Sequence, residues 1–137
     1  MYFCIVFYMI LKSKAIVLRS LKFGDSSLII DMFTELEGRI SFITRIPKTA
    51  KGKIKKQYFQ PLTLLDLEFD YRPRTSLQRI KEVRILRPYG SIPFDPVKSA
   101  ILLFLSEFLY YVTRGEQQNA HLYSYICASM EWLDEAE

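Results

Sequence analysis

Apolar and polar residues alternate through the first half of this 137-residue chain, which is the period of half-buried strands. From Ala15 to Phe23, Val17, Leu21 and Phe23 share one face with Arg19, while Ile16 and Leu18 share the other with Ser20 and Lys22. Gly24 and Asp25 mark a turn, after which Leu28, Ile30 and Met32 stand opposite Ile29, Asp31 and Phe33. Glu37 and Gly38 predict a tight turn, since glycine tolerates the positive φ that such hairpins need. The third strand then places Ile40, Phe42, Thr44 and Ile46 on one side and Arg39, Ser41, Ile43 and Arg45 on the other. PLTLLDLEFDY reads as a fourth strand, with Leu65, Leu67, Phe69 and Tyr71 inward and Asp66, Glu68 and Asp70 outward. Arg72, Pro73 and Arg74 break it, and a fifth strand follows from about Leu77 to Leu86. Five short strands in roughly 75 residues, with a long connection after the third, predict a small closed barrel, because closure removes exposed edges.

From Asp95 the period becomes that of a helix. Asp95 can cap it and Pro96 suits its first position. Val97, Ala100, Ile101, Phe104, Leu105, Phe108 and Leu109 form a broad apolar face, and Gly115 ends the helix. A second helix, capped by Asn119, carries Leu122, Tyr125, Ile126, Ser129, Trp132 and Leu133 on one face. The barrel can cover only part of two such faces. The chain stops at DEAE without a helix stop signal, and acids are unfavourable at a helix C-terminus, so the helical region is expected to continue in a longer protein. At the other end, Met9 looks like a natural start for the first strand, and residues 1–8 read as an upstream extension. The apolar run from Met1 to Leu11 is too short to span a bilayer, and its cations Lys12 and Lys14 follow it instead of preceding it. No membrane role is expected.

Charge separates the two parts. From Met1 to Pro93, 17 Lys and Arg face 8 Asp and Glu, giving +9; from Phe94 to Glu137 the count is 2 against 7, giving −5. The asymmetry predicts that the first part meets a polyanion. Its focus is RIPKTAKGKIKKQYFQP, Arg45 to Pro61, with six cations and no acid anywhere between Glu37 and Asp66. Arg45, Lys48, Lys51, Lys53, Lys55 and Lys56 are candidate phosphate contacts, and so is Arg39 on the third strand. Arg72, Arg74, Arg79 and Lys81 flank the connection between the fourth and fifth strands and form a second candidate group, although Asp70 and Glu82 stand close enough to pair with some of them. Tyr58 and Phe59 are candidates for base stacking; being consecutive on a presumed strand they point opposite ways, so at least one belongs to the core. The alternative for all these cations is a solvated surface on a protein-interaction scaffold.

An enzyme is disfavoured. The only histidine, His121, opens the second helix with no carboxylate or thiol constellation to suggest a nucleophile or a metal. Asp66, Glu68 and Asp70 share a strand face about 7 Å apart per step, too wide for three ligands of one ion. Gly52 stands among lysines without the spacing of a phosphate loop. Cys4 and Cys127 lie far apart in apolar surroundings, as buried free thiols in a reducing compartment do. No cofactor and no metal are expected.

KAIVLRSLKFGDSSLIIDMFTELEGRISFITR, the basic segment, YFQPLTLLDLEF and LQRIKEVRILRPYGSIPFDPVKSAILLFLSEFLY, in that order and spacing, resemble the bacterial DNA repair and recombination family RecO, most of all its Bacteroidetes members. The resemblance covers about Met9 to the last residue. It implies an N-terminal five-stranded OB-fold barrel at 9–90, followed at 91–137 by the beginning of an all-α domain. It also implies binding of single- and double-stranded DNA, annealing of complementary strands, and recombinase loading with RecR and single-strand-binding protein, in the cytoplasm at the nucleoid. Two departures stand out. The four-cysteine zinc motif that many members carry further on has no counterpart here, and their Gly-Ala pair after the third strand is replaced by Ile46, Pro47, Lys48 and Thr49.

Overall fold

The structure, a computed structural model, describes residues 9–47 and 54–137. Residues 1–8 with Cys4, and Lys48, Lys51 and Lys53 of the basic run, lie outside the described residues. Five strands, β1 (Met9–Phe23), β2 (Ser27–Thr34), β3 (Gly38–Arg45), β4 (Leu64–Tyr71) and β5 (Gln78–Arg87), close into a barrel of order β1-β2-β3-β5-β4. β1 belongs to both walls: its first half, Met9 to Ile16, pairs with β4, and its second, Ala15 to Phe23, pairs with β2. Closure runs through a short parallel join, Phe42 beside Gln78 and Ile43 beside Arg79. Helices α1 (Pro96–Val112) and α2 (Ala120–Glu135) follow. No helix of the described residues is long and apolar enough to cross a membrane.

The strand alternation builds two cores at once. Ala15, Val17, Leu28, Ile30, Met32, Phe42, Leu65, Leu67 and Phe69 fill the barrel, while Ile16, Leu18, Phe33, Leu62 and Leu64 pack outward against the helices. A bulge between Val17 and Arg19 bends β1, with Leu18 as its extra residue. Ile16 and Leu18 are therefore as buried as Ala15 and Val17, although only one face of a strand fills the barrel interior.

Both helix caps form as expected: Asp95 Oδ1 accepts from the Val97 and Lys98 backbone N–H groups, and Asn119 Oδ1 accepts from Leu122. The docked faces do not follow the expectation. α1 meets the barrel through Lys98, Leu102 and Ser106, with Leu105, Leu109 and Tyr110 beside them, while Val97, Phe104 and Phe108 stay exposed. α2 docks through Tyr123, Ile126, Met130 and Leu133, leaving Tyr125 and Trp132 outside. The reason is chemical. The docked stripe of α1 contains a lysine and a serine, so counting hydrophobic residues favours the richer stripe on the other side. Ser106 is small, and its hydroxyl donates to the Leu18 carbonyl at 2.6 Å, which lets helix and bulge approach closely.

A polar knot fixes the barrel exit to the end of α2. The Asp134 carboxylate accepts backbone N–H bonds from Gly90, Ser91 and Ile92, at 2.8–3.0 Å. Lys98, almost fully buried, donates from Nζ to Ser91 Oγ and to the carbonyls of Asp134 and Ala136. Desolvation alone would raise the Asp134 pKa, but the three backbone donors and the Ser91 hydroxyl outweigh it and pull it from 3.8 to about 2. A pKa depressed by folding stabilises fully above the unfolded value of 3.8 and ceases to do so as pH falls through about 2. Asp134→Ala is expected to cost about 2 kcal/mol near neutral pH. Thermal melts of the variant and the parent chain should converge as pH drops through that window. A gap that persists at the acid end would show that the carboxylate charge is not what matters. Cys127 is a half-buried free thiol in the helix-side core, and burial pushes its pKa up.

Candidate nucleic-acid interface

Paired residues of neighbouring strands share a face, so the register maps the outside of the barrel. One row runs Arg19, Asp31, Ser41, in which the Ser41 hydroxyl donates to Asp31 Oδ1. The next runs Leu21, Ile29, Ile43, Arg79, and the last Phe23, Ser27, Arg45. Leu21 is 54% and Phe23 56% exposed, which is a poor use of apolar side chains unless something flat covers them. This outer face of β1–β2–β3 is thus an apolar and aromatic strip with cations along its margins.

The opposite wall carries both signs in equal number. Lys12, Glu68 and Glu82 form one row there and Lys14, Asp66 and Arg84 another, with Arg84 bonded to Asp66 at 2.8 Å. Glu68 and Glu82 directly oppose each other across two strands. That wall therefore offers a polyanion no net positive charge, whereas Arg19, Arg45 and Arg79 against Asp31 leave the first face positive. Asp66, Glu68 and Asp70 alternate outward as expected, and among the described residues no group of three or more His, Cys, Asp or Glu is placed to hold a metal ion.

The expected site residues fall into three places. Arg45, Lys55 and Lys56 are exposed at the end of the barrel where β3 leaves it. Lys22 joins them, lining the same shallow hollows as Lys56, Ser26 and Leu28. Arg79 is exposed in the middle of the outer face, next to Ile43 and also opposite Asp70. Arg72 and Arg74 sit exposed in a β4–β5 loop braced by buried Gln78, whose side-chain amide accepts from the Arg72 N–H and donates to the carbonyls of Arg72 and Thr75. Lys81 is exposed at an irregularity in the β4–β5 pairing.

Arg39 departs from the expectation of an exposed position. It is half-buried, donates to the Tyr110 carbonyl at 2.6 Å and to Thr113 Oγ1 at 3.2 Å, and stacks 4.5 Å from the Tyr110 ring centroid. Its neighbour Gly38, at φ +73°, lies so close to the α1–α2 connection that a Cβ would come within 2.5 Å of Gln117 backbone atoms. β3 therefore enters under that connection, and its first arginine is taken up by the helices.

Tyr58 and Phe59 are corrected too. They lie on a short 3-10 turn, Lys56–Phe59, not on a strand. Phe59 is 2% exposed and plugs the barrel, where its carbonyl accepts from the Ser20 hydroxyl. Tyr58 is half-buried against the same core. The exposed aromatic is Phe23, which sequence reasoning passed over. The available signal was its position, last on a strand and on the face that carries Arg19.

Known proteins are similar to this chain over most of its length. The family model Recombination protein O N terminal matches residues 9–89, and Recombination protein O C terminal matches 93–137. The DNA repair protein RecO of Bacteroides fragilis is 51% identical over 126 residues, covering 92% of this chain and 52% of that protein. The proteins of the same name from Phocaeicola vulgatus and Flavobacterium psychrophilum are 43% and 37% identical, covering 94% and 90% of this chain and 54% and 52% of their own lengths. The chain spans about half the length of these curated relatives.

Proposed function

Since this chain belongs to the recombination protein O family, RecO, whose members act in DNA repair and recombination, we propose that its barrel is a non-catalytic DNA-binding module. The reading rests above all on one observation: the outer face of β1–β2–β3 exposes Leu21 and Phe23 among Arg19, Arg45 and Arg79, while on the wall behind it Lys12, Lys14 and Arg84 are matched by Asp66, Glu68 and Glu82. Phosphates lie against Arg45, Lys55, Lys56, Lys22 and Arg79, together with Lys48, Lys51 and Lys53 of the same run, and counterions leave as they dock. Arg72, Arg74 and Lys81 extend the contact from the β4–β5 side. Bases stack on Phe23 and on the edge of Tyr58.

Annealing follows from the same charges: two strands, single or already partly paired, approach each other with reduced repulsion while cations screen both. Recombinase loading with RecR and single-strand-binding protein, in the cytoplasm at the nucleoid, belongs to the whole protein on this reading. Residues 9–90 are its DNA-binding unit and 91–137 the opening of the helical domain. No cofactor or metal takes part.

A second reading is a protein-interaction scaffold whose lysines only solvate the barrel. Its support is the exposed aromatic surface of α1, where Phe104 and Phe108 stack at 6.2 Å. Salt titration of binding to a fluorescent single-stranded oligonucleotide separates the two. About six phosphate contacts give a log-log slope near −4, at roughly −0.7 per contact. A slope close to zero would favour the scaffold.

A further inference from the structure

At the end of β3 away from the lysine run, three guanidiniums converge on one aromatic ring. Arg39, Arg19 and Arg114 lie 4.5, 4.9 and 5.7 Å from the Tyr110 ring centroid, and Arg114 also lies 5.6 Å from that of Tyr111. The two tyrosine rings meet edge to face at 5.1 Å. Three like charges this close repel one another, and the electron-rich ring offsets only part of that. Arg39 is committed to the Tyr110 carbonyl and Thr113. Arg19 and Arg114 are exposed, and among the described residues neither has a carboxylate within the 4.0 Å of an ion pair.

Beside them runs an open groove of about 310 Å³ between β1 and α1, bordered by Arg19, Ser20, Pro61, Glu107, Tyr110 and Tyr111. Glu107 is its one acid. Tyr111 is 56% exposed and offers a flat face at the groove's edge. Arg19 also stands in the row next to Leu21, so the groove continues the apolar strip of the outer face. Arg39 and Arg45 are six residues apart on β3, a separation of about 20 Å at 3.3 Å per residue. That is the rise of roughly six nucleotides if the strand stays stacked at the 3.4 Å of a duplex strand.

We propose that this seam between barrel and α1 is a second phosphate-contact point, in which Arg19 and Arg114, steadied by Tyr110 and Tyr111, grip the far end of a single strand held at Arg45 and Lys56. The inference rests on the DNA-binding reading and adds to it a direction: one strand crosses the outer face from the lysine end to the helices. An acidic protein segment would suit the cations equally. Nucleic acid is favoured because the cluster is continuous with exposed Leu21 and Phe23 and because Tyr111 supplies a stacking surface.

The test is an oligonucleotide length series with R19Q/R114Q. On a 12-mer, within the usual range of about 4–16 nucleotides per OB fold, the variant should lose about 1.4 from the magnitude of the salt slope, and roughly tenfold in affinity. On a 4-mer, which the lysine end alone can hold, it should match the parent chain. R19K/R114K, which keeps both charges, should keep the slope, so that a loss caused by misfolding is recognised. A shallow slope in the parent chain would remove the DNA reading itself. A steep parental slope left unchanged by R19Q/R114Q on the 12-mer overturns only the seam. Binding of a polyglutamate peptide that R19Q/R114Q abolishes while DNA binding stays intact overturns it in favour of an acidic protein partner.

Discussion

Replacing Lys48, Lys51, Lys53, Lys55 and Lys56 together by glutamate is expected to lower affinity for single-stranded DNA on the order of a thousandfold at low salt. Each contact contributes roughly −0.7 to the log-log slope, so removing five of them should make the slope shallower by about 3.5. Between 50 and 200 mM salt the variant should therefore lose about a hundredfold less affinity than the parent chain. The fold should survive, because Lys55 and Lys56 are exposed, form no ion pair among the described residues and are not part of the barrel core. Oligonucleotide binding by fluorescence anisotropy, with a thermal melt as control, measures both. An unchanged slope would mean that the basic run only solvates the loop.

The second large effect concerns the barrel itself. Phe42 is fully buried, pairs with Ile30 on β2 and Gln78 on β5, and packs edge to face on Phe69 with ring centroids 5.0 Å apart. Its strand supplies both rungs of the parallel join that closes the cylinder. Phe42→Ala should therefore cost about 3–5 kcal/mol, the range for emptying an aromatic site in a core. For a chain of this size that is a drop in Tm of roughly 10–20 °C. Phe104→Ala gives the contrast. Although Phe104 is as apolar, its side chain is 61% exposed on the undocked side of α1, and the cost should stay within about 0.5 kcal/mol. Comparable losses in both variants would show that the helices meet the barrel differently.

These two phenylalanines show what the sequence could and could not reveal. Strand alternation is a local property: it grouped Leu28, Ile30 and Met32 on one face and set Phe42, Leu65, Leu67 and Phe69 on the inner side, because a barrel interior takes every second residue of a regular strand. The helix faces were misplaced because docking on a curved sheet selects for close approach. Ser106 and Lys98 hydrogen-bond into the docked stripe of α1, while larger aromatics stay outside. Residues 96–112 simply carry two apolar stripes.

The candidate site was legible where it depends on charge density, as at Arg45, Lys55 and Lys56. It was not legible where it depends on distant partners. Nothing near Arg39 in the sequence announces Tyr110, some seventy positions away, and nothing in YF distinguishes a barrel plug from a stacking platform. Register resolves both. It also brings Phe23, Arg45 and Arg79 onto one face although they come from three different strands.

The most direct measurement is therefore a map of contacts. Single-stranded DNA carrying photoreactive thymidine analogues, crosslinked to the chain and digested, should attach to peptides containing Phe23, Ile43 to Arg45, and Lys55 to Tyr58. Crosslinks concentrated instead on Asp66 to Asp70 and Glu82 to Arg84 would place the strand on the β4–β5 wall and contradict the assignment of the β1–β2–β3 face as the nucleic-acid surface.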